Sequence, residues 1–186
     1  MNSFESAQPW WPTPRPSFSP IQKRWLTRSG ALTHALRDLG TLELHVLAEY
    51  PDGAHPDETH RLGRDPFDPV WVREIVMSIN GTKCIAARSV TPLRASHGVW
   101  QGVRRLRSRP LADILYDDVA ISRSDFEIAR LSRQTALYRT VLAIKVETQP
   151  SSHRLNGLLA RRSVFWRQGS PLLVAECFLP AFWNLV

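Results

Sequence analysis

Three side chains in this sequence could do chemistry, two arginines and a glutamate, each embedded in a segment otherwise built for a core. Arg73 lies in Val70-Trp71-Val72-Arg73-Glu74-Ile75-Val76-Met77-Ser78-Ile79, and Arg88 lies in the apolar run that resumes after Asn80-Gly81. Runs rich in β-branched and aromatic residues on either side of Asn-Gly predict a hairpin, because a type I′ loop needs φ > 0 at both central positions. If Asn80 and Gly81 form that two-residue loop, cross-strand partners have numbers summing to 161. Ile79 then faces Thr82, Met77 faces Cys84, Ile75 faces Ala86 and Arg73 faces Arg88. Two guanidiniums opposite each other on an apolar face repel, and burying either one unpaired is expensive. An anion between them would resolve the conflict, which makes the pair a candidate anion clamp. An internal Asp or Glu, or a strand end where both arginines reach water, would resolve it too. The register is conditional as well, since a three-residue loop would slip one strand and reverse its faces.

The glutamate is Glu176, in Pro171-Leu172-Leu173-Val174-Ala175-Glu176-Cys177-Phe178-Leu179-Pro180. This reads as a strand apolar on both faces, so a charge between Val174 and Phe178 needs a partner or a proton. Either it forms a structural salt bridge with an inward arginine, or it exchanges a hydrogen bond with a polar substrate group. Burial would raise its pKa and the arginines would lower it. A third feature is Pro110, well suited to a first helical turn. The amides of Leu111 and Ala112 would then be orphan donors able to hold a carboxylate.

The elements that must position these groups fit one domain of 186 residues. Residues 1–20 hold five of the fourteen prolines, which predicts an extended, poorly ordered arm before a domain over 21–186. Leu32, Ala35, Leu36 and Leu39 fall at helical spacing over 31–39, with Gly40 as the stop. A strand over 42–50 precedes a stretch carrying Pro51, Gly53, Pro56, Gly63, Pro66 and Pro69, read as a loop. After the hairpin, Val99, Val103 and Leu106 suggest a short helix, and Pro110 starts another. Segments 119–131, 136–147, 162–168 and 172–179 complete the chain, mostly as strands. Strands outnumber helices and short turns join most of them, so the expected class is α+β with a mainly antiparallel sheet.

Composition removes several function classes. No apolar run reaches the roughly 18 residues a membrane span requires, and the N-terminus lacks the apolar core of a signal peptide; the expectation is a cytoplasmic protein without stable membrane insertion. Cys84 and Cys177 stand far apart and read as core residues. His55-Pro56-Asp57-Glu58-Thr59-His60 matches no metal-ligand spacing. The formal charge of +7, with 24 basic against 17 acidic residues, admits a nucleic-acid partner. However, the cluster Arg104-Arg105-Leu106-Arg107-Ser108-Arg109 lacks interleaved aromatics, and no nucleic-acid-binding signature appears, which favours a solvated basic surface and no nucleic acid.

Taken together the residues resemble the chorismate lyases (chorismate pyruvate-lyases) of bacterial ubiquinone biosynthesis. The likeness runs from about Gly30 to Phe182 and rests on Gly30-Ala31-Leu32-Thr33, Trp71-Val72-Arg73-Glu74-Ile75, Ala86-Ala87-Arg88-Ser89-Val90-Thr91-Pro92, Arg109-Pro110-Leu111-Ala112, Asp125-Phe126-Glu127-Ile128, Ala160-Arg161-Arg162-Ser163 and the Glu-Cys-Phe-Leu-Pro ending at Pro180. The resemblance implies a monomeric, enclosed-site α+β enzyme with no metal or organic cofactor, eliminating pyruvate from chorismate to leave 4-hydroxybenzoate. It also implies roles: Arg73 and the Leu111 backbone on the ring carboxylate, Glu176 on the ring hydroxyl, Leu32 lining the pocket through its backbone, and Arg88 on the enolpyruvyl carboxylate. Glu176 and Arg88 are thereby the candidate catalytic groups. Position 32 is Leu where some relatives have Met, and the region from 134 to 155 reads as an insertion. A non-catalytic small-carboxylate-sensing domain, as in effector domains of winged-helix repressors, is the alternative, although only about thirty residues precede the first helix.

Overall fold

The Asn80-Gly81 turn forms as expected, with φ of 49° and 77°, and joins β3 (Pro69–Ile79) to β4 (Thr82–Pro92). Its register does not persist. Ile79 pairs with Thr82 and Ser78 with Lys83, but Met77 pairs with Ile85, which leaves Cys84 as the extra residue of a β-bulge. Beyond the bulge, Arg73 faces Ser89 and Arg88 faces Glu74. A one-residue slip moves every side chain of one strand to the other face. The expected Arg73–Arg88 clamp is therefore corrected: the two arginines lie on opposite faces of the sheet.

The computed structural model describes residues 10–116, 118–144 and 158–186. Its sheet runs β1 (Trp10–Trp11), β6 (Glu127–Arg130), β7 (Leu159–Arg167), β8 (Ser170–Phe178), β4, β3 and β2 (Leu42–Gly53), with β5 (Ser122–Arg123) added against β7. Every pairing is antiparallel, as the α+β reading required. One face packs against α1 (Pro20–Leu26), α2 (Leu32–Arg37) and a 3-10 turn (Pro180–Asn184). There Trp25, Leu26, Leu36 and Phe182 meet Ile75, Met77, Ile85 and Phe178. The other face packs against α3 (Pro56–Leu62) and α6 (Ala136–Ala143), where Leu137 and Val141 meet Val76, Ala86 and Cys177.

Local chemistry accounts for these helices and for three departures from expectation. Ser19 and Gln22 form a reciprocal capping box, with Pro20 in the first turn, so α1 starts at residue 20. The stretch read as a loop contains α3: Pro56 opens it, His55 accepts from the Asp57 amide, and Gly63 closes it at φ 58°. The segment from Ala136, grouped with the strands, is helical through Ala143, because Leu137, Val141 and Ile144 recur at helical spacing. Residues 145–157, which hold half of the supposed insertion, lie outside the described residues. Residues 10–20, read as part of an extended arm, pack on the domain. Trp10 is buried in an edge strand, donates Nε1–H to Asp57 Oδ2 at 3.3 Å, and lies under the Arg162 guanidinium at 4.4 Å. An edge strand tolerates flanking prolines because its outer amides need no partner.

Candidate active site

Two rows of side chains rise from the face that carries α1 and α2. One row is Arg73, Ser89, Val174 and Ser163; the next is Ile75, Ala87, Glu176 and Arg161. Together with Leu32, Thr33, Leu111, Tyr116, Arg123 and Phe126 they line one cavity. Arg73 and Glu176 are separated by two strand spacings and two residues along the strand, roughly 10 Å by 7 Å. Both line the cavity, and the side chains of Ile75, Ala87 and Val174 between them are apolar.

At one pole Arg73 is 1 % exposed. Its Nε donates to Glu49 Oε1 at 3.0 Å, and its Nη2 donates to the carbonyls of Arg107 and Arg109 at 2.8 and 3.2 Å. Burial pulls this guanidinium below its usual value, and Glu49 pulls it back up. The segment bearing those carbonyls leads directly into Pro110 and Leu111. The helix expected from Pro110 is a single turn, α5 (Ala112–Leu115), in which the Asp113 amide bonds to Pro110 O. So short a turn has little macrodipole; any anion held beside Leu111 is held by backbone amides and Arg73.

At the other pole Arg161 Nε donates to Glu176 Oε2 at 2.7 Å, while Nη1 donates to Trp25 O at 3.2 Å and Arg28 O at 2.9 Å. The guanidinium also faces Phe126 at 4.4 Å. Glu176 is partly buried and has an arginine partner, but the partner is not one of the two arginines singled out in the sequence. The missed signal was strand alternation: β7 begins at Leu159, three residues before the strand expected from 162, which puts the adjacent Arg161 and Arg162 on opposite buried faces. Neither can reach a phosphate backbone. Over the cavity, Arg123 Nη1 donates to the Tyr116 hydroxyl at 3.1 Å, which in turn donates to Gly30 O at 2.8 Å. Burial raises the Tyr116 phenol, and Arg123 opposes the rise.

Four of the five expected substrate-binding residues, Leu32, Arg73, Leu111 and Glu176, line the cavity, and Arg88 does not. Arg88 is 4 % exposed on the opposite face. It donates from Nε and Nη2 to the two Glu58 oxygens at 2.8 and 3.3 Å, and from Nη1 to Glu74 Oε1 at 2.9 Å and the Tyr50 hydroxyl at 3.2 Å. Thr140 donates to the same Glu74 oxygen at 2.7 Å. Beside it, Arg162 bonds Glu127 at 2.6 Å and the Asp57 carbonyl at 2.7 Å, and Arg61 completes the Glu127 pair. The same bulge that undid the clamp places Arg88, expected as a catalytic and substrate-binding residue, away from this cavity, with its guanidinium held by internal carboxylates. Among the described residues no group of His, Cys, Asp and Glu is arranged to hold a metal, and none of the helices is long and apolar enough to cross a membrane.

Solved structures share this fold at low identity. The C-terminal domain of PhnF aligns with a TM-score of 0.56 at 18 % identity, over 83 % of this chain and 91 % of that one. The effector domain of PhnF from Mycobacterium smegmatis aligns at 0.52 and 15 %, over 82 % and 90 %. At such identities the likeness establishes the architecture alone. Sequence relatives are far nearer. A protein of Bordetella pertussis named probable chorismate pyruvate-lyase is 53 % identical, across 96 % of this chain and 92 % of its own length. Another from Pseudomonas entomophila, probable chorismate pyruvate-lyase 1, is 37 % identical across 95 % and 92 %. The family model described as chorismate lyase matches residues 7–186, and a chain with these two poles, these relatives and that match belongs to the chorismate lyase family.

Proposed function

We propose that this protein eliminates pyruvate from chorismate to give 4-hydroxybenzoate, acting in the cytoplasm on the path to ubiquinone. The observation that carries the reading is the cavity with a buried arginine at one end, an arginine-paired glutamate at the other, and apolar walls between, in a chain of this family. In this assignment Arg73 and the Leu111 backbone hold the ring carboxylate, Glu176 accepts from the ring hydroxyl, and the Leu32 backbone closes the hydroxyl end.

Chorismate carries a second carboxylate on its enolpyruvyl group. With Arg88 on the far face, Arg123 takes that role: it is half-buried, lines the cavity, and is held against Tyr116 and Phe126 rather than against an acidic residue. The reaction removes the C4 hydrogen as a proton and breaks the C3–O bond. The bonding electrons leave with the enolpyruvate oxygen, a proton is gained at the methylene carbon, and pyruvate results. Because the ring becomes aromatic, the protein need not supply a large driving force. Its task is to fix the ring at both ends and to hold the departing carboxylate where charge develops. Interactions that tighten as the C3–O bond breaks raise turnover, whereas those that hold the ring equally throughout set affinity.

Incubation of the purified protein with chorismate, with 4-hydroxybenzoate and pyruvate measured in equal amounts, tests the proposal. A rate no higher than that of the spontaneous reaction refutes it. The fold likeness to the effector domain of PhnF leaves a non-catalytic carboxylate sensor as the second reading, and binding of 4-hydroxybenzoate without turnover would favour that one.

A further inference from the structure

Two shielded side-chain polar atoms among the described residues have no hydrogen-bond partner in the protein, Trp71 Nε1 and Thr33 Oγ1. Trp71 lies under the Arg104 guanidinium at 3.7 Å, away from the cavity lining. Thr33 is different, because it lines the cavity itself while being only 7 % exposed. Thr33 sits in the first turn of α2, where the helix has no earlier turn whose carbonyl its hydroxyl could bond, and a buried hydroxyl without a partner is destabilising. Its partner must therefore come from the cavity.

The position of Thr33 identifies which end of a ligand it meets. The segment leading into α2 is tied twice to the glutamate pole: Arg161 Nη1 donates to Arg28 O at 2.9 Å, and the Tyr116 hydroxyl donates to Gly30 O at 2.8 Å. Arg161 is the residue that holds Glu176. Thr33 follows three residues after Gly30, which places it next to the segment tethered at the Glu176 pole.

We infer that Thr33 donates its hydroxyl proton to the ring oxygen whose own proton is accepted by Glu176, making Thr33 a specificity-determining residue for a ring hydroxyl. This inference rests on the proposed ring orientation. A hydroxyl offers one proton and two lone pairs; Glu176 takes the proton and Thr33 fills a lone pair, so both buried hydrogens are satisfied. A ring without the hydroxyl leaves Thr33 as unpaired as in the free protein. An aromatic amine has two hydrogens and a lone pair committed to the ring. If Thr33 accepts one of them, its own proton is stranded. Sites that hydrogen-bond a substrate hydroxyl reject analogues lacking it for this reason.

The test is the dissociation constant of 4-hydroxybenzoate, benzoate and 4-aminobenzoate for wild type, Thr33→Val and Thr33→Ser, with thermal midpoints measured in parallel. Wild type is expected to prefer the hydroxy acid over both analogues. Thr33→Val should weaken 4-hydroxybenzoate by about tenfold while leaving benzoate and 4-aminobenzoate within about twofold, and Thr33→Ser should keep the wild-type preference. The valine variant should melt no lower than wild type, because it removes an unsatisfied group. Equal losses for all three ligands, or no loss for the hydroxy acid, overturn the inference while leaving the lyase proposal intact. A melting temperature several degrees lower with unchanged ligand preference overturns it too, by showing that the hydroxyl is satisfied inside the protein. Wild-type protein with no affinity for 4-hydroxybenzoate refutes the ring orientation and this inference with it.

Discussion

Replacing Arg88 by methionine separates the structure's account of this residue from the clamp suggested by the hairpin turn. Methionine preserves most of the side-chain volume and removes the charge, which leaves Glu58 and Glu74 buried around one missing cation. Breaking one buried pair costs about 3–5 kcal/mol, and here two carboxylates share the arginine, so the upper part of that range, about 4–5 kcal/mol, is expected. At about 2–4 °C per kcal/mol for a domain of this size, the thermal midpoint should fall by roughly 8–20 °C. The deficit should also depend on pH. Burial holds the Glu58 carboxyl above its ordinary range against the pull of Arg88. A carboxyl raised in the folded state contributes stability below its unfolded pKa and loses it as pH rises through the folded value. Without Arg88 the raise grows, so the variant's deficit should widen between about pH 5 and about pH 8. Affinity for 4-hydroxybenzoate, measured well below the midpoint, should stay within about threefold, because the residue does not line the ring-binding cavity. A variant that melts like wild type at both pH values but no longer binds the ring would refute the reasoning and return Arg88 to the ligand.

The remaining expectations concern the cavity. Arg73→Met should weaken 4-hydroxybenzoate by about 10- to 150-fold, the value of a charge-assisted hydrogen bond to a carboxylate; calorimetric titration checks it, and an unchanged affinity would remove Arg73 from the carboxylate pole. Arg123→Ala should raise the KM for chorismate by at least about tenfold while leaving 4-hydroxybenzoate within about twofold, since the product has lost the second carboxylate; parallel losses for both ligands would contradict that assignment. Glu176→Gln keeps an acceptor for Arg161 but gives up the charged acceptor for the ring hydroxyl, so kcat/KM should drop by about 10- to 100-fold with the fold retained, and full activity would show that the glutamate serves Arg161 alone.

How far the sequence could be read depended on whether a signal was local. The Asn80-Gly81 turn, the inward position of Arg73, the buried strand around Glu176 and the antiparallel α+β class all follow from composition and spacing within a few residues. The bulge at Cys84 has no such mark, since cysteine between Lys83 and Ile85 fits the strand pattern in either register. Yet that bulge decides which face Arg88 occupies. The Arg161–Glu176 pair was out of reach for a related reason: it joins two strands whose alignment depends on where β7 begins, and residues 161 and 162 alternate faces only if 161 is already in the strand. Trp10 was misjudged because proline content argues for an open arm, whereas its burial comes from Asp57 and Arg162, which are distant in sequence.

The bulge can be seen as sorting two otherwise equivalent arginines. On the cavity face, Arg73 is secured by one partly exposed glutamate and two carbonyls, an arrangement that holds the guanidinium in place without enclosing it in carboxylates. On the far face, Arg88 is enclosed by Glu58, Glu74 and Tyr50 beneath α3 and α6. Had the turn's register continued unbroken, both arginines would share the cavity, and Glu58 and Glu74 would face each other with no cation between them. That is a double penalty, like charges opposed on one side and unpaired carboxylates on the other. Deleting Cys84 tests this division of labour, because it takes out only the extra residue: Ser78–Lys83 and Met77–Ile85 become successive rungs of a regular ladder, Arg88 still faces Glu74, and β4 keeps its pairing to β8. The deletion variant should therefore keep cooperative thermal unfolding, losing only the Cys84 side chain and its carbonyl's bond to the Leu179 amide. A variant that unfolds without a sharp transition would show that the sheet needs the bulge itself, and not only the register beyond it, to sort the two arginines.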